Sequence, residues 1–451
     1  MKKGKVVALL LTFCMLAGCG VSNTEELTNT IYCLAENPND GQTDSAGTIG
    51  EGAGGTATGH NNVAGVGNTD TTATVSDETA LWDFSYKMFQ ENIEDTNPVL
   101  SPLSAYLAMG MVGLGAEGET LAEFQQIMGQ GMQDVSGELM QNLPNWIRDI
   151  REDGEDSILK VANSVWVDKR MNPNTGWVQS VSDIYKAEVF QAVLSDRSTM
   201  KDINKWVEGK TYSLIKEFLS EPLDPEARMA LFNTIYFLGF WVHDFEANNT
   251  YKEDFTTIDG ETVQVDMMHD YDRSEYYFNN DSLDGVILKY RDGDMAFVAM
   301  KPTAGQTARE MYEQLNYEEL NSLLDSAALQ PIRLKLPKFE VEFDKNLNET
   351  LQNMGIKRAF DEDLAQFGSL GTTDNGYPLY ISLVRQKAVV KLDEEGTEAA
   401  AVTMVVMKEC AAVEPQQKPI DVFFDEPFVY MIMDMQSRTP LFMGIMDNPV
   451  W

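Results

Sequence analysis

The chain is poor in histidine, and this scarcity limits the chemistry that it can perform. Its 451 residues include three histidines, His60, His243 and His269. A Ser-His-Asp triad needs a histidine that is held by a carboxylate and faces a serine, whereas the settings of His243 and His269 are typical of surface or structural histidines. The sequence also lacks an H-E-x-x-H motif, a Cys-x-x-Cys pair and a glycine-rich phosphate loop. We therefore predict no catalytic residue, metal site or cofactor, and do not expect an enzyme.

Basic residues are scarce as well. The chain has 34 lysines and arginines against 71 acidic residues, which gives a formal net charge of −37. So acidic a surface repels phosphate backbones and other polyanions, which argues against nucleic acid as a partner. The segment 145–156 mixes Arg148 and Arg151 with acidic residues, so we expect no heparin-like cofactor. The charge is otherwise typical of a soluble protein, and we expect a monomer.

The N-terminus carries an export signal. Lysines at positions 2, 3 and 5 precede an apolar run over residues 6–18, which is too short to span a bilayer as a helix but suits a signal peptide. The run closes on Leu-Ala-Gly-Cys at residues 16–19, which resembles the bacterial lipoprotein signal. The resemblance implies that residues 1–18 are removed and that Cys19 receives a diacylglyceryl group. The alternative is an ordinary signal peptide with a chance cysteine.

A polar, low-complexity segment follows Cys19. From Gly20 to Asp77 the chain has no lysine or arginine, and Gly, Thr, Asn, Ala and Asp dominate. Such a segment buries too little apolar surface to offset the entropy of ordering, so we predict a flexible tether over residues 19–78. As a random coil it would span roughly 40 Å. The protein is then expected to be exported and anchored by lipid on the extracellular side of a bacterial membrane, with the anchor as its only membrane contact.

The remaining residues, 79–451, have the patterns of one large α+β domain. Ser101 and Pro102 suit the N-cap and first position of a helix, and a first amphipathic helix is predicted near Leu81. The run 228–241 is apolar on both faces, which indicates a central strand. Residues 331–343 alternate as a strand, and the last forty residues predict a buried hairpin. Cys33 in the tether and Cys410 near the C-terminus leave no cysteine for the core, so stability depends on packing rather than disulfides.

Several motifs in this domain resemble the serpin family of serine protease inhibitors, in the family's order. They are NPVLSPLSAYLAMGMVGLGAEGET, KDINKWVEGKTYSLIKEFL, LFNTIYFLGFW, LPKFEVEF, LQNMGIKRAF, AVVKLDEEGTEAAAVT and EPFVYMIMD followed by PLFMGIM. The resemblance covers residues from about Leu81 to Trp451. It implies the serpin fold, with three β-sheets, about eight or nine helices and an exposed reactive-centre loop.

In serpins the loop that follows Glu-Glu-Gly-Thr is cleaved and then inserts as a new strand into the largest sheet. The resemblance makes the residues Glu394, Glu395, Gly396, Thr397, Glu398, Ala399, Ala400 and Ala401 the hinge of this loop. If residues 397–408 form a strand, alternation places Thr397 and Met407 on one uncharged face, and Glu398 and Lys408 on the other. Glycine and the absence of proline before Pro415 suit insertion. An alanine-rich helix is the alternative.

The position of the reactive bond follows from the same resemblance. In the family it falls at the seventeenth residue counted from the hinge glutamate, here Glu394, which places the bond between Cys410 and Ala411. Cys410 behaves as a small hydrophobic residue, so the expected target is an elastase-like protease. Lys408 would favour a trypsin-like enzyme and Met407 a chymotrypsin-like or elastase-like one, so both remain alternatives.

The family also implies residues that control opening of the sheet. Ser101, Ser104 and Asn233 match the shutter, the polar group beneath the sheet. Gln386 replaces a histidine that many serpins carry there, and it can supply hydrogen bonds but no titration near neutral pH. Trp241 matches the breach at the top of the sheet, and Lys338 matches the partner of Glu394.

Together these features predict a suicide substrate for serine proteases outside the cell. A non-inhibitory carrier or scaffold with the same fold is the alternative. Carriers of this kind tend to have bulky or charged hinge residues, which are missing from Gly396 to Thr397 and from Ala399 to Ala401.

Overall fold

The structure of the chain is a computed structural model, which describes residues 31–35, 79–143, 158–291, 293–303, 305–374, 376, 378–397 and 418–449. Nine α-helices lie in this part of the chain: α1 Ala80–Gln90, α2 Pro102–Gly113, α3 Gly118–Met128, α4 Met132–Asn142, α5 Thr175–Tyr185, α6 Arg197–Lys210, α7 Ala308–Gln314, α8 Tyr317–Ser326 and α9 Asn348–Met354. None of the helices in the described ranges is long and apolar enough to cross a bilayer.

The same residues contain eighteen strands. They are β1 Tyr32–Ala35, β2 Val99–Leu100, β3 Ile158–Asp168, β4 Met171–Pro173, β5 Glu188–Ala192, β6 Met229–Phe240, β7 Thr250–Thr256, β8 Thr262–Asn279, β9 Leu283–Lys289, β10 Met295–Pro302, β11 Ala328–Pro337, β12 Phe339–Asn346, β13 Gly371–Thr373, β14 Leu383–Leu392, β15 Gly396–Thr397, β16 Ile420–Phe423, β17 Phe428–Asp434 and β18 Thr439–Met446.

Local sequence signals explain where α2 begins. The side chain of Ser101 accepts a hydrogen bond from the backbone N–H of Ser104 at 3.4 Å, and Pro102 occupies the first helical position. Both positions are as predicted. Every residue of α2 is buried, so α2 is a core helix rather than a surface helix with one apolar face.

Seven strands form the main sheet, in the order β1-β5-β3-β6-β15-β14-β12. The predicted central strand is β6, which pairs antiparallel with β3 along most of its length. On the other side of β15, strand β14 pairs antiparallel with β12. One face of the sheet covers the main hydrophobic core, and α6 packs on the other face over Trp166, Phe218 and Phe232. The main sheet is therefore buried between two layers.

The other two large sheets share the long strand β8. Its first half pairs with β7, and its last residues pair with β9, which continues to β10, β17, β18 and β2. Strand β11 pairs with the opposite edge of β8 from β7 and β9, and β16 pairs parallel with β11. The predicted hairpin is β17–β18, and every residue in both strands is buried. The α+β fold with three sheets and eight or nine helices is confirmed.

Strand β1 differs from the expectation of a flexible tether. Tyr32 to Ala35 pair antiparallel with β5 at the edge of the main sheet, and Ile31 packs against the cluster under α6. An edge strand presents unpaired backbone groups that a passing segment of the chain can satisfy. For these four residues the prediction of a segment without regular structure is wrong.

Close packing in the hairpin gives a test of the fold. A Cβ added at Gly444 would lie 2.3 Å from Cζ of the buried Tyr430, so Gly444→Ala should lower the free energy of unfolding by about 1–3 kcal/mol. The matched control is Gly209→Ala in α6, where an added Cβ meets nothing within 4 Å and alanine should stabilise the helix by about 0.5–1 kcal/mol. Urea unfolding checks both, and equal midpoints would contradict this packing.

Candidate functional site at the hinge of the main sheet

The hinge begins where β14 ends. Asp393 directs the chain back toward the sheet: its Oδ1 accepts hydrogen bonds from the N–H groups of Glu395 at 3.0 Å and Gly396 at 3.3 Å. Its own N–H donates to the carbonyl of Gly396 at 2.9 Å. Gly396 and Thr397 then form β15, which lies between β6 and β14 and pairs antiparallel with both. Two hinge residues are therefore already part of the main sheet.

Glycines on both strands make this pairing possible. A Cβ at Gly396 would lie 1.9 Å from the carbonyl oxygen of Gly239 on β6. A Cβ at Gly239 would lie 2.5 Å from the ring of Phe237 and 2.6 Å from that of Tyr290. No side chain fits at either position without movement of the backbone or of a buried ring.

Thr397 is held by an aromatic cluster under the sheet. It is 2% exposed, and its Oγ1 lies 2.5 Å from the hydroxyl of Tyr290, with either oxygen able to donate. The Tyr290 ring stacks on Trp241 with centroids 4.7 Å apart and meets Phe237 edge-on at 4.9 Å. Burial raises the pKa of Tyr290 well above its ordinary value, so its hydroxyl stays protonated and can hydrogen-bond to Thr397.

The connection after β6 holds the hinge from outside. The N–H of Trp241 donates to the carbonyl of Glu395 at 2.9 Å, and the N–H of Phe245 donates to the carbonyl of Glu394 at 2.8 Å. The indole Nε1 of Trp241 donates to the carbonyl of Asp393 at 3.0 Å. Each of the three turn residues therefore contributes a carbonyl to this connection.

Lys338 forms an ion pair with Glu394, and its Nζ lies 2.7 Å from Oε2. Burial acts to raise the pKa of Glu394, but hydrogen bonds outweigh it, that from Lys338 most strongly, so the pKa is lowered. The neighbouring Asp393 shows the opposite balance, because burial outweighs its hydrogen bonds and raises its pKa. The hydrogen bond from Lys338 thus contributes most to keeping the pKa of Glu394 low.

A second polar group lies beneath the middle of the main sheet. The Oγ of Ser104 donates to Oδ1 of Asn233, whose Nδ2 donates to Oδ1 of Asn163. Nδ2 of Asn163 donates in turn to the carbonyl of Tyr185 at 2.8 Å. These hydrogen bonds connect α2, β6, β3 and α5, and all four side chains are buried.

Gln386 joins this region through the backbone. Its Oε1 accepts from the N–H of Ser101 at 3.0 Å, and its Nε2 donates to the carbonyl of Ser101 at 2.8 Å. Gln386 thus supplies hydrogen bonds from both ends of its amide, as expected, and both go to the backbone of Ser101. The neutral amide links β14 to the start of α2 without a titratable group.

Strands β6 and β14 pair directly only far from the hinge. Their parallel pairs are Leu383 with Ala230 and Val384 with Leu231. Over residues 385–391 of the described chain, β14 pairs with β12 on one side and has no ladder pair with β6 on the other. The sheet is therefore closed at one end by β6 and β14, and at the other end by β15.

His243 and His269 have structural partners. His269 stacks on Tyr251 with centroids 4.2 Å apart, and its Nδ1 lies 2.7 Å from the hydroxyl of Tyr271. Burial lowers the pKa of His269. His243 is exposed and its Nδ1 lies 3.1 Å from Glu275. Within the described ranges, no three His, Cys, Asp or Glu side chains are grouped as metal ligands.

Comparison with known proteins decides the family. A family model described as Serpin (serine protease inhibitor) matches residues 79–449. The chain belongs to the serpin family. Neuroserpin of Mus musculus is 31% identical over 395 residues, which cover 84% of this chain and 93% of that protein.

Solved serpin structures have the same fold. Native tengpin, a thermophilic serpin, matches with a TM-score of 0.74 at 32% identity, over 85% of this chain and 96% of tengpin. Human thyroxine-binding globulin complexed with thyroxine matches with a TM-score of 0.72 at 25% identity, over 83% of this chain and 99% of that one. Serpins are generally protease inhibitors rather than enzymes, which supports an inhibitor function and a serine protease as the kind of partner.

The structure brings together many of the residues singled out in the sequence. Glu394 to Thr397, Trp241 and Lys338 meet at the hinge, and Ser101, Ser104, Asn233 and Gln386 lie beneath the main sheet. Their roles in opening the serpin sheet stay predictions. The other predicted residues lie outside the described ranges: Cys19, Glu398, Ala399, Ala400, Ala401, Met407, Lys408, Cys410 and Ala411.

Sequence reasoning misses three residues of this serpin site. Tyr290 follows β9, about a hundred residues before the hinge, and nothing near it in the chain signals the contact with Thr397. Asn163 faces Asn233 across the β3–β6 register, which cannot be read before the pairing is known. Asp393 carries a local signal, since an aspartate at the start of a turn typically accepts hydrogen bonds from the N–H groups that follow it in the chain.

The ion pair at the hinge gives a pH-dependent prediction. Lys338→Met leaves Glu394 half-buried without its partner, and we expect a loss of about 1–3 kcal/mol in the free energy of unfolding at pH 7. A lowered carboxyl pKa stabilises the fold above its ordinary value of 4.5 and loses this effect as the pH falls through the lowered value. The difference between variant and wild type should therefore shrink below about pH 4.5.

The control is Lys252→Met. Lys252 forms a 3.1 Å pair with Asp266, but its side chain is 60% exposed, so the loss should be below about 1 kcal/mol. Urea unfolding of both variants from pH 7 to pH 4 makes the comparison. Equal losses at neutral pH would show that the hinge pair has no special role.

Proposed function

We propose that this serpin inhibits serine proteases as a suicide substrate, by cleavage of its reactive-centre loop and insertion of that loop into the main sheet. The position of β15 supports this most directly. Gly396 and Thr397 already pair with β6 and β14, and the ladder between those two strands is missing just beyond them. A strand that continues from Thr397 would lie between stretches of β6 and β14 that have no ladder pair with each other.

The register of β15 indicates how much of the loop fits. Gly396 pairs with Phe240 and Thr397 with Gly239, so each further loop residue would lie opposite one residue earlier on β6. In that register Met407 reaches Met229, the first residue of β6. Residues 396–404 would fill the open stretch of β6, and insertion as far as Met407 requires the pairs of Leu383 with Ala230 and of Val384 with Leu231 to separate. Thr397 faces the buried aromatic cluster, so the uncharged face from Thr397 to Met407 would face the core.

The chemistry is performed by the protease. Its serine hydroxyl attacks the carbonyl carbon of the loop residue at the reactive bond, an acyl ester forms, and the amine of the following residue leaves with a proton. The loop, with the protease attached through the ester, then inserts into the main sheet and moves the protease with it. If insertion occurs before water hydrolyses the ester, the covalent adduct is retained. This chain supplies a substrate segment and a vacant strand position.

The reactive bond is proposed to be Cys410–Ala411. It lies three residues beyond Met407, so it stays outside the matched length of β6 and accessible to a protease. A small apolar residue at this position suits an elastase-like enzyme. Lys408 with a trypsin-like enzyme, or Met407, would place the bond closer to the end of the inserted strand.

A serpin-fold carrier is the second candidate. Thyroxine-binding globulin shows that proteins with this fold can be complexed with a small molecule. The hinge favours inhibition, because the sheet accommodates both of its first strand residues. Gly396 fits because it has no side chain, and the side chain of Thr397 is buried there, with the residue 2% exposed.

Thr397→Arg tests insertion. The arginine would place an unpaired charge against Tyr290 and Trp241, which costs several kcal/mol. We expect the variant to be cleaved as an ordinary substrate. The number of serpin molecules consumed for each protease molecule inhibited should then rise about tenfold or more above that of the wild type. The wild type should form an adduct with elastase-like protease that survives denaturing gel electrophoresis. Leu329→Arg on β11, where Leu329 is 61% exposed, is the control and should inhibit normally.

The same reaction locates the bond. Mass spectrometry of the released C-terminal peptide should give a new N-terminus at Ala411, whereas Glu409 would point to Lys408 and a trypsin-like target. Stoichiometric trapping by Thr397→Arg would refute insertion from this hinge. Absence of any adduct in the wild type, with every class of serine protease, would favour the carrier.

The protein is further proposed to act at the cell surface as a lipoprotein. Ile31, which packs against the cluster under α6, lies twelve positions after Cys19. A lipid on Cys19 would therefore hold the β1 edge of the main sheet within about 40 Å of the membrane, whatever the conformation of the residues between. If Thr79 were the first residue to contact the domain, the sixty residues after Cys19 would allow a distance of about 200 Å between the membrane and the domain.

Lipidation is tested by Cys19→Ala. In a bacterial host that lipidates exported proteins, the wild type should incorporate labelled palmitate and fractionate with membranes, and the variant should do neither. Cys33→Ala is the control, because Cys33 is exposed on β1 and its loss should leave the anchor intact. Labelled lipid on Cys19→Ala would contradict the assignment.

A further inference from the structure

The hydrogen bond between Tyr290 and Thr397, here called the hinge contact, distinguishes two conformations of the intact loop, one in which the bond is formed and one in which it is broken. With the bond formed, Gly396 and Thr397 are part of the main sheet. With the bond broken, β15 can leave the sheet, and the loop gains the length of two strand residues. The hinge contact is not needed to hold Tyr290 itself, since the ring is stacked on Trp241 and packed on Phe237.

We propose that Tyr290 is a positioning residue for the hinge, and that the hinge contact sets how often the intact loop is released toward a protease. The proposal rests on the proposed function as a loop-insertion inhibitor. Full insertion in the register of β15 would keep Thr397 opposite Gly239, so the contact is present both before cleavage and after insertion. The released loop alone lacks it.

Three features make the contact decisive rather than incidental. Both oxygens lie in a buried site where an unsatisfied hydroxyl is unfavourable, and Tyr290 is among the fully buried side chains. The glycines at positions 239 and 396 bring the strands together so closely that a Cβ at Gly396 would overlap the carbonyl oxygen of Gly239. Thr397 is itself only 2% exposed, and its hydroxyl lies 2.5 Å from that of Tyr290.

The amides of Trp241 and Phe245 report on this release without a protease. They donate to the carbonyls of Glu395 and Glu394, so they lose their acceptors whenever the hinge leaves. Hydrogen exchange of these two amides therefore measures the fraction of released hinge in the intact protein.

Tyr290→Phe removes one hydroxyl and keeps the ring. We expect exchange at both amides to rise about two- to tenfold, the effect of one lost buried hydrogen bond. The matched control is Tyr430→Phe, because Tyr430 is also fully buried and its hydroxyl has no hydrogen-bond partner in the described structure. Tyr430→Phe should leave exchange at Trp241 and Phe245 unchanged.

Variants at Thr397 test the other half of the contact. Thr397→Val removes the hydroxyl and should raise exchange as Tyr290→Phe does, whereas Thr397→Ser retains it and should restore exchange to near the wild-type rate. The double variant Tyr290→Phe with Thr397→Val should exchange no faster than the faster single variant, because both remove the same bond. If Tyr290→Phe folds poorly, the comparison of Ser with Val at position 397 still decides.

Association with the protease provides the functional readout. The rate constant for adduct formation should rise by the same factor as amide exchange in Tyr290→Phe and stay unchanged in Tyr430→Phe. Equal exchange in these two variants, or no difference between Ser and Val at position 397, would overturn the proposal. If the variants show the expected exchange pattern but the wild type traps no protease, the role of the hinge contact is supported and the proposed inhibitor function is refuted.

Discussion

The incomplete ladder between β6 and β14 is the constraint on which the rest of this structure depends. A strand in the middle of a sheet normally satisfies its backbone groups on both sides, because buried N–H and C=O groups without partners are costly. Here β14 has a partner in β12 along residues 385–392, but meets β6 only at Leu383 and Val384. The neighbouring elements limit how far this gap extends and what can enter it.

The interactions next to the gap differ between the hinge and the middle of the sheet. At the hinge, two glycines allow β15 to enter, and an aromatic cluster around Tyr290 and Trp241 receives Thr397. Beneath the middle of the sheet, buried amides and hydroxyls connect the strands to α2, and they do so without a titratable group at Gln386. A fully satisfied polar network fixes one geometry but can re-form with new partners when the strands move.

The N-terminal strand relates the sheet to the proposed lipid anchor. β1 covers the edge of the main sheet at β5, on the far side of β3 and β6 from the hinge. A lipid on Cys19 would restrain that edge near the membrane and leave the hinge side of the sheet away from it. Orientation of the domain would then come from four paired residues rather than from the length of the segment before Thr79.

The sequence by itself determined several of the strands and helices, because full burial leaves continuous apolar runs at β6 and at β17–β18, and the Ser101-Pro102 pair marks the start of α2. It also showed that the hinge consists largely of glycine and small side chains, because these residues can be read directly from the sequence. Only the tertiary structure decided that Tyr290 meets Thr397, that Asn163 meets Asn233, and that β1 joins the sheet. These contacts join residues up to a hundred or more positions apart, and their partners depend on strand order and register, which no local pattern encodes.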